Sequence, residues 1–127
     1  MNVRNLLTVN AVLLGLVALV ELLAPTIFAQ ASGLEPTQAV INLERTFGAF
    51  ALGPAITSWL MRSAAPGRAR RAFLLGSGVA YLVFAVVIVI NMAALTGLGQ
   101  FSPSWLFAAV DALLGLAFLY FGLKERV

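Results

Sequence analysis

Long apolar segments separated by short polar ones limit the fold of this chain more than any other feature. Residues 6–23 form a nearly unbroken apolar run, and further apolar runs follow it. At about 1.5 Å of rise per residue, a helix of this length crosses most of a bilayer core of roughly 30 Å. With 61% hydrophobic and 10% charged residues, a chain of 127 residues is too apolar to bury such runs in one soluble domain. We therefore predict an integral membrane protein.

The predicted fold is all-α, with four transmembrane helices in an up-down-up-down bundle that forms one domain over residues 1–127. The helices are expected at about residues 4–24, 37–62, 71–95 and 103–123. Ala24-Pro25 ends the first helix, and Pro36 lies where the first turn of a helix accepts proline. Ser102-Pro103 has the form of an N-cap followed by the first helical residue.

The first apolar run has an alternative interpretation as a cleaved signal peptide. Ala29-Gln30-Ala31 has the A-x-A form that precedes a cleavage site. The run is longer than a usual signal-peptide core of about 7–15 residues, and it contains Glu21. Both features favour a transmembrane helix.

Basic residues predict the orientation of the chain. Apart from Arg45, the eight Lys and Arg residues lie near the N-terminus, in the segment 62–71, or near the C-terminus. The positive-inside rule then places both termini and this segment in the cytoplasm, as expected for a multi-pass protein of the inner (plasma) membrane. The basic segment is interpreted as an orientation signal, with anionic lipid binding as the alternative. The basic residues at the ends of the predicted spans account for the sequence pI near 10.2, so no nucleic-acid partner is expected.

The absence of two residue types excludes several functions. Without Cys, the chain has no disulfide, thiolate nucleophile or iron–sulfur ligand, and without His it lacks the commonest proton shuttle and metal ligand. Only carboxylate or Tyr81 acid–base chemistry remains, and no spacing marks a catalytic pair. We predict no catalytic residue, no metal site and no cofactor.

Polar residues within the predicted spans form the candidate site. They are Glu21, Glu44, Arg45, Asn91 and Asp111. Counting along each helix at about 1.5 Å per residue places them at similar depths, in the outer third of the membrane. Because an ionised side chain there costs several kcal/mol unless it is paired, we predict a polar layer inside the bundle.

The charges of this layer do not balance. Three carboxylates accompany one guanidinium, so we expect at least one carboxyl group to be protonated, or a cation or basic ligand to supply the missing charge. Glu44 and Arg45 are neighbours that point about 100° apart on a helix, so Arg45 is predicted to pair with Glu21 or Asp111. The layer is either an Arg–carboxylate clamp that fixes helix register or a site for a ligand or ion.

Small residues predict where helices pack. Gly48 and Gly53 lie among alanines in the second span, and Gly115 lies among them in the fourth, which allows a neighbouring backbone to approach closely. Pro54 is predicted to kink the second helix, because it lacks the N–H that would bond the carbonyl of Phe50. Packed neighbours absorb this kink or, alternatively, it opens a cavity.

A weak internal repeat is also visible. Gly33-Leu34 and Arg62 match Gly97-Leu98 and Arg126 at one common offset. A parallel copy of one helical hairpin would produce such a pattern, although three matches in apolar sequence arise readily by chance.

Three features of the chain resemble the DoxX-like family of small bacterial four-helix membrane proteins. The first helix ends in Ala24-Pro25 followed by Phe28, the second contains the Arg-x-Phe-Gly stretch from Arg45 to Gly48, and a basic loop precedes the third. The resemblance covers most of the chain and implies the four-helix fold and its topology. It implies no activity, and the redox role suggested for some relatives has no cysteine here to carry it.

These observations leave three functional hypotheses. The first is a non-catalytic membrane protein in the lipid bilayer, either an accessory subunit or a binder of a small apolar or cationic ligand. The second is a small proton- or cation-coupled transporter or channel that uses Glu21, Glu44 and Asp111. An enzyme is the third. A homodimer or a larger membrane complex is expected, because so small a bundle leaves little room for a cavity of its own.

Overall fold

The computed structural model describes residues 2–96 and 104–126. Its helices are α1 (Val3–Leu23), α2 (Pro25–Ala31), α3 (Gln38–Met61), α4 (Arg68–Thr96) and α5 (Ser104–Lys124). The described part of the chain contains no strand, so the prediction of an all-α protein is confirmed. The predicted cap Ser102-Pro103 and the residues Gly97-Leu98 lie outside the described residues.

Among the described residues, three helices are long and apolar enough to cross a membrane, which indicates a membrane protein. The segments are Val3–Leu23, Arg68–Asn91 and Ser104–Lys124. At 24 residues α3 has sufficient length, but it is not among the three. It carries the adjacent charges of Glu44 and Arg45, which lower its hydropathy. The membrane crossing of α3 therefore stays a prediction.

Local capping explains where the helices of the first half begin. The Asn2 side chain accepts a hydrogen bond of 2.8 Å from the backbone N–H of Asn5 at the start of α1. At the start of α3, the Thr37 hydroxyl accepts one of 3.3 Å from the N–H of Val40. Thr37 is thus the N-cap, and Pro36 precedes the cap instead of occupying the first turn.

A short helix, α2, lies between the first two predicted helices, where no helix was expected. α1 ends at Leu23 because Pro25 disfavours a helical conformation at Ala24, which has φ −136° and ψ 53°. Pro25 then occupies the first turn of α2, where its missing N–H has no partner to lose. Gly33, with φ 77°, closes α2 by donating its N–H to the carbonyl of Gln30 at 3.0 Å.

The chain divides into two compact units, Met1–Ser63 and Ala64–Val127. In the first unit, here called hairpin 1, α1 packs against α3, and α2 packs against both. In the second unit, hairpin 2, α4 packs against α5. Each unit is thus an antiparallel pair of long helices.

Buried positions on α3 and α5 are three, four or seven residues apart, as expected for one face of a helix that packs against another. On α3 the buried residues are Glu44, Gly48, Ala55 and Ser58, and on α5 they are Ser104, Ala108, Gly115, Phe118 and Gly122. The other faces expose many large apolar side chains, including Phe50 and Leu113. Such surfaces suit contact with lipid, where small residues rather than hydrophobicity bring helices together.

Candidate functional site

Among the glycines of α1 and α3, Gly48 lies closest to the other helix. A Cβ atom at this position would lie 2.8 Å from the backbone oxygen of Ala18, 2.9 Å from the Cβ of Glu21 and 3.0 Å from the Cγ of Leu22. Side chains do not pack at such distances, so only glycine allows this contact. The contact positions the backbone of Glu21 directly against α3.

Two carboxylates lie beside this contact in hairpin 1. Glu21 and Glu44 are each 7% exposed. Glu44 lies four residues before Gly48, which places it on the same face of α3 and one turn along the helix. Because the helices run antiparallel, this turn lies opposite the end of α1, where α2 begins. The two carboxylates thus flank the Gly48 contact, Glu21 from α1 and Glu44 from α3.

Neither carboxylate has a charged or hydrogen-bonding partner within residues 2–63. The salt bridge of the described residues joins Arg70 to Glu125, both of which belong to hairpin 2. Among the hydrogen bonds within hairpin 1, none involves Glu21 or Glu44. Hairpin 1 therefore buries two acids without burying a compensating cation.

Arg45 does not fill this role within hairpin 1. It is exposed on α3, since Glu44 occupies the packed face and the next residue points about 100° away. The expected pair with Glu21 does not form in residues 2–63. The other predicted partner, Asp111, belongs to hairpin 2.

Hairpin 2 carries one acid on its packed face. Asp111 is partly buried and lies four residues before Gly115. A Cβ atom at Gly115 would lie 2.8 Å from the Cγ of Leu82 and 3.1 Å from the backbone oxygen of Gly78. Asn91, which was predicted to lie near the same layer, is exposed on α4.

Gly53 lies away from the α1–α3 contact. No atom of the described residues lies within 4 Å of a Cβ built at Gly53, which is exposed. Helix α3 continues through Pro54 to Met61. Within hairpin 1, the close contact thus depends on Gly48 and not on Gly53.

Two polar contacts within the hairpins were not predicted from the sequence. In hairpin 1, the amide nitrogen of Asn10 donates a hydrogen bond of 2.8 Å to the hydroxyl of Ser58, and both residues are buried. In hairpin 2, the Nε of Arg70 donates to the Oε1 of Glu125 at 2.7 Å, and its Nη1 donates to the carbonyl of Ala64 at 2.6 Å. The helical period places these residues on packed faces, but it does not indicate which residues meet across a pair.

The described residues contain no cluster of three or more acidic, His or Cys side chains that would hold a metal ion. Comparisons of the chain with protein-family models, with curated proteins and with solved structures give no match. The resemblance to DoxX-like proteins therefore stays a prediction that rests on the residues quoted for it.

Proposed function

We propose that this protein is a small, non-catalytic integral membrane protein that binds a small cationic ligand at Glu21 and Glu44 of hairpin 1. The observation that supports this proposal is the pair of buried carboxylates, Glu21 and Glu44, with no cationic partner inside hairpin 1. Two such groups in apolar surroundings are stabilised when a cation or a proton reaches them. A ligand with a positive charge supplies what the hairpin lacks.

The surroundings of the pair favour an organic cation with an apolar part. Two carboxylates alone give too few oxygen ligands for a calcium ion, which takes six to eight. An amine needs only one or two acceptors for its N–H groups, and its apolar part is compatible with exposed side chains such as Leu43 and Phe47 on the same helix. We therefore assign a hydrophobic amine as the ligand class.

Proton- or cation-coupled transport is the second candidate function. Hairpin 2 supports it, because Asp111 repeats the arrangement of Glu44 by preceding a close-contact glycine by four residues. A second acid set into a packed helix face is a typical element of a cation pathway. This candidate requires all three acids for flux, whereas binding requires only the pair in hairpin 1.

We further propose four spans in the inner membrane, with both termini in the cytoplasm. The basic segment 62–71 and the basic residues near the termini support this topology. Because the chain has no native Cys, single-cysteine variants report it cleanly. Ser32→Cys should react with a membrane-impermeant maleimide from outside intact cells, whereas Ala65→Cys should react only after the cells are opened. The reverse pattern, or equal labelling of both, would contradict the topology.

The ligand proposal is tested by thermal unfolding of the purified protein in detergent. Sodium, potassium, hexylamine and tetrabutylammonium would each be added to the wild type and to Glu21→Gln and Glu44→Gln. We expect an amine to raise the wild-type midpoint by several degrees, since ligand at a hundredfold excess over Kd contributes about 2.7 kcal/mol. Both variants should lose this shift while remaining folded.

Glu35→Gln is the matched control, because it removes the same charge from an exposed position of hairpin 1. It should retain the full amine shift. If no compound shifts the wild type, or if Glu35→Gln loses the shift equally, ligand binding at the pair is refuted. A stable partner protein that co-purifies in fixed ratio would then support the accessory-subunit hypothesis, and a defined dimer mass would support the predicted homodimer.

A further inference from the structure

The arginines of the basic segment differ in what they contact. Arg62 lies over the ring of Trp59, with its Cζ 3.4 Å from the ring centroid. Arg70 is held by the carboxylate of Glu125 and the carbonyl of Ala64. These two side chains therefore have structural contacts within their own units.

Arg68 and Arg71 have no such contacts. Neither side chain forms a hydrogen bond or a salt bridge with the described residues. Both line an open groove of about 430 Å³, together with Ala72 and Leu75. The groove thus combines two available guanidinium groups with an apolar wall.

The groove lies at the end of a candidate membrane span. The apolar segment of α4 begins at Arg68, and Leu75 lies about two turns further along the helix. A ligand that follows α4 from Arg68 towards Leu75 therefore passes from a cationic environment into an apolar one. This order of chemistry matches a phospholipid, whose phosphate precedes its acyl chains.

We propose that Arg68 and Arg71 bind the headgroup phosphate of an anionic phospholipid, with an acyl chain lying against Ala72 and Leu75. Arginine forms paired hydrogen bonds to phosphate oxygens, which makes the two side chains suitable donors. Hairpin 2 leaves them a net positive charge, since Glu125 is already paired with Arg70. The positive-inside rule assigns this end of α4 to the cytoplasmic leaflet, where anionic lipids are abundant.

The test measures lipid binding to the full chain in detergent by native mass spectrometry. Phosphatidylglycerol would be titrated against wild type and Arg68→Gln/Arg71→Gln, with phosphatidylcholine of identical chains as the uncharged lipid. Each arginine near an anionic headgroup contributes about fivefold to binding, so the double variant should raise the dissociation constant for phosphatidylglycerol by roughly 25-fold. Phosphatidylcholine binding should be equally weak in both proteins.

Arg4→Gln/Arg126→Gln is the matched control, because it removes the same charge from positions outside the groove. It should bind phosphatidylglycerol within about twofold of wild type. An equal loss in this control, or unchanged binding in the double variant, would overturn the proposal. Glycerol 3-phosphate separates a lipid from a free anion: if it competes at the same concentration as phosphatidylglycerol, the assignment to a phospholipid is wrong.

Discussion

Hairpins 1 and 2 follow the same plan but use polar residues differently. Each pairs two long antiparallel helices across small residues, and in each the second helix carries an acid four residues before a close-contact glycine. Hairpin 1 adds Glu21 to its packed face, so its carboxylates form a pair without a cation. Hairpin 2 has Asp111 alone and fills its interior with the ring of Phe118, which lies 5.8 Å from that of Tyr81 and 6.4 Å from that of Phe73.

The two hairpins also differ in the polar contact that joins their long helices near the end opposite the connecting segment. Hairpin 1 is joined there by a buried, uncharged hydrogen bond between Asn10 and Ser58. Hairpin 2 is joined by the charged pair of Arg70 and Glu125. Hairpin 2 thus pairs its buried acid, Glu125, with a cation and leaves Asp111 only partly buried, whereas hairpin 1 buries two acids without a cationic partner in residues 2–63. Buried acids without a cationic partner lower the stability of hairpin 1. Because destabilising features of this kind are typical of functional sites, we expect the function to lie in hairpin 1.

The largest effect on stability is expected from alanine substitutions at the two contact glycines, Gly48 and Gly115. In Gly48→Ala the new Cβ meets the backbone oxygen of Ala18 at 2.8 Å, and backbone cannot move locally. In Gly115→Ala the two nearest atoms belong to the side chain of Leu82, which can change rotamer, and the backbone oxygen of Gly78 lies further away, at 3.1 Å. We expect losses in unfolding free energy of about 3 kcal/mol at Gly48 and about 1 kcal/mol at Gly115. Unfolding of the full chain in mixed micelles, followed by circular dichroism, measures both, and equal losses would contradict the distinction.

The ion pair between Arg70 and Glu125 in hairpin 2 gives the next largest expected effect on stability. Glu125→Gln removes the carboxylate from Arg70 and leaves a partly buried guanidinium with only the carbonyl of Ala64. Hydrogen bonds to charged groups contribute about 1.5–3 kcal/mol, so we expect a loss of about 2 kcal/mol in the same unfolding assay. A double-mutant cycle with Arg70→Gln should give a coupling above about 1 kcal/mol. Additive losses would show that the pair contributes nothing as a pair.

The hydrogen bond between Asn10 and Ser58 in hairpin 1 should contribute less to stability. Ser58→Ala removes the acceptor of the hydrogen bond from Asn10, and such bonds between membrane helices average about 0.6 kcal/mol. We expect a loss of about 1 kcal/mol or less, because alanine fits the space of serine. Thr57→Ala on the next position is the control, since its hydroxyl bonds only the carbonyl of Gly53 in its own helix. A larger loss of unfolding free energy in Ser58→Ala than in Glu125→Gln would contradict this ranking of the two contacts.

Part of this comparison was predictable from sequence. Apolar length and proline placement predicted helices near those observed, because both act locally: α3 was expected at about 37–62 and spans Gln38–Met61. The short helix α2 was missed, since Ala24-Pro25 was interpreted as an end and Pro25 also begins a new helix. Contacts such as Asn10 with Ser58 were missed because they depend on the register between two helices, which periodicity alone leaves undetermined.

The smallest expected effect tests what covers the outer face of α3. Gly53 was predicted as a packing residue beside Gly48, yet nothing in the described residues lies within 4 Å of a Cβ built there. Gly53→Ala should therefore stabilise the chain by about 0.5–1 kcal/mol, because alanine has the higher helix propensity and meets no clash. Unfolding in micelles and in lipid bicelles measures this change. A loss of stability in bicelles alone would mean that a partner helix packs closely on this face in the membrane, and that the small residues of α3 serve two contacts instead of one.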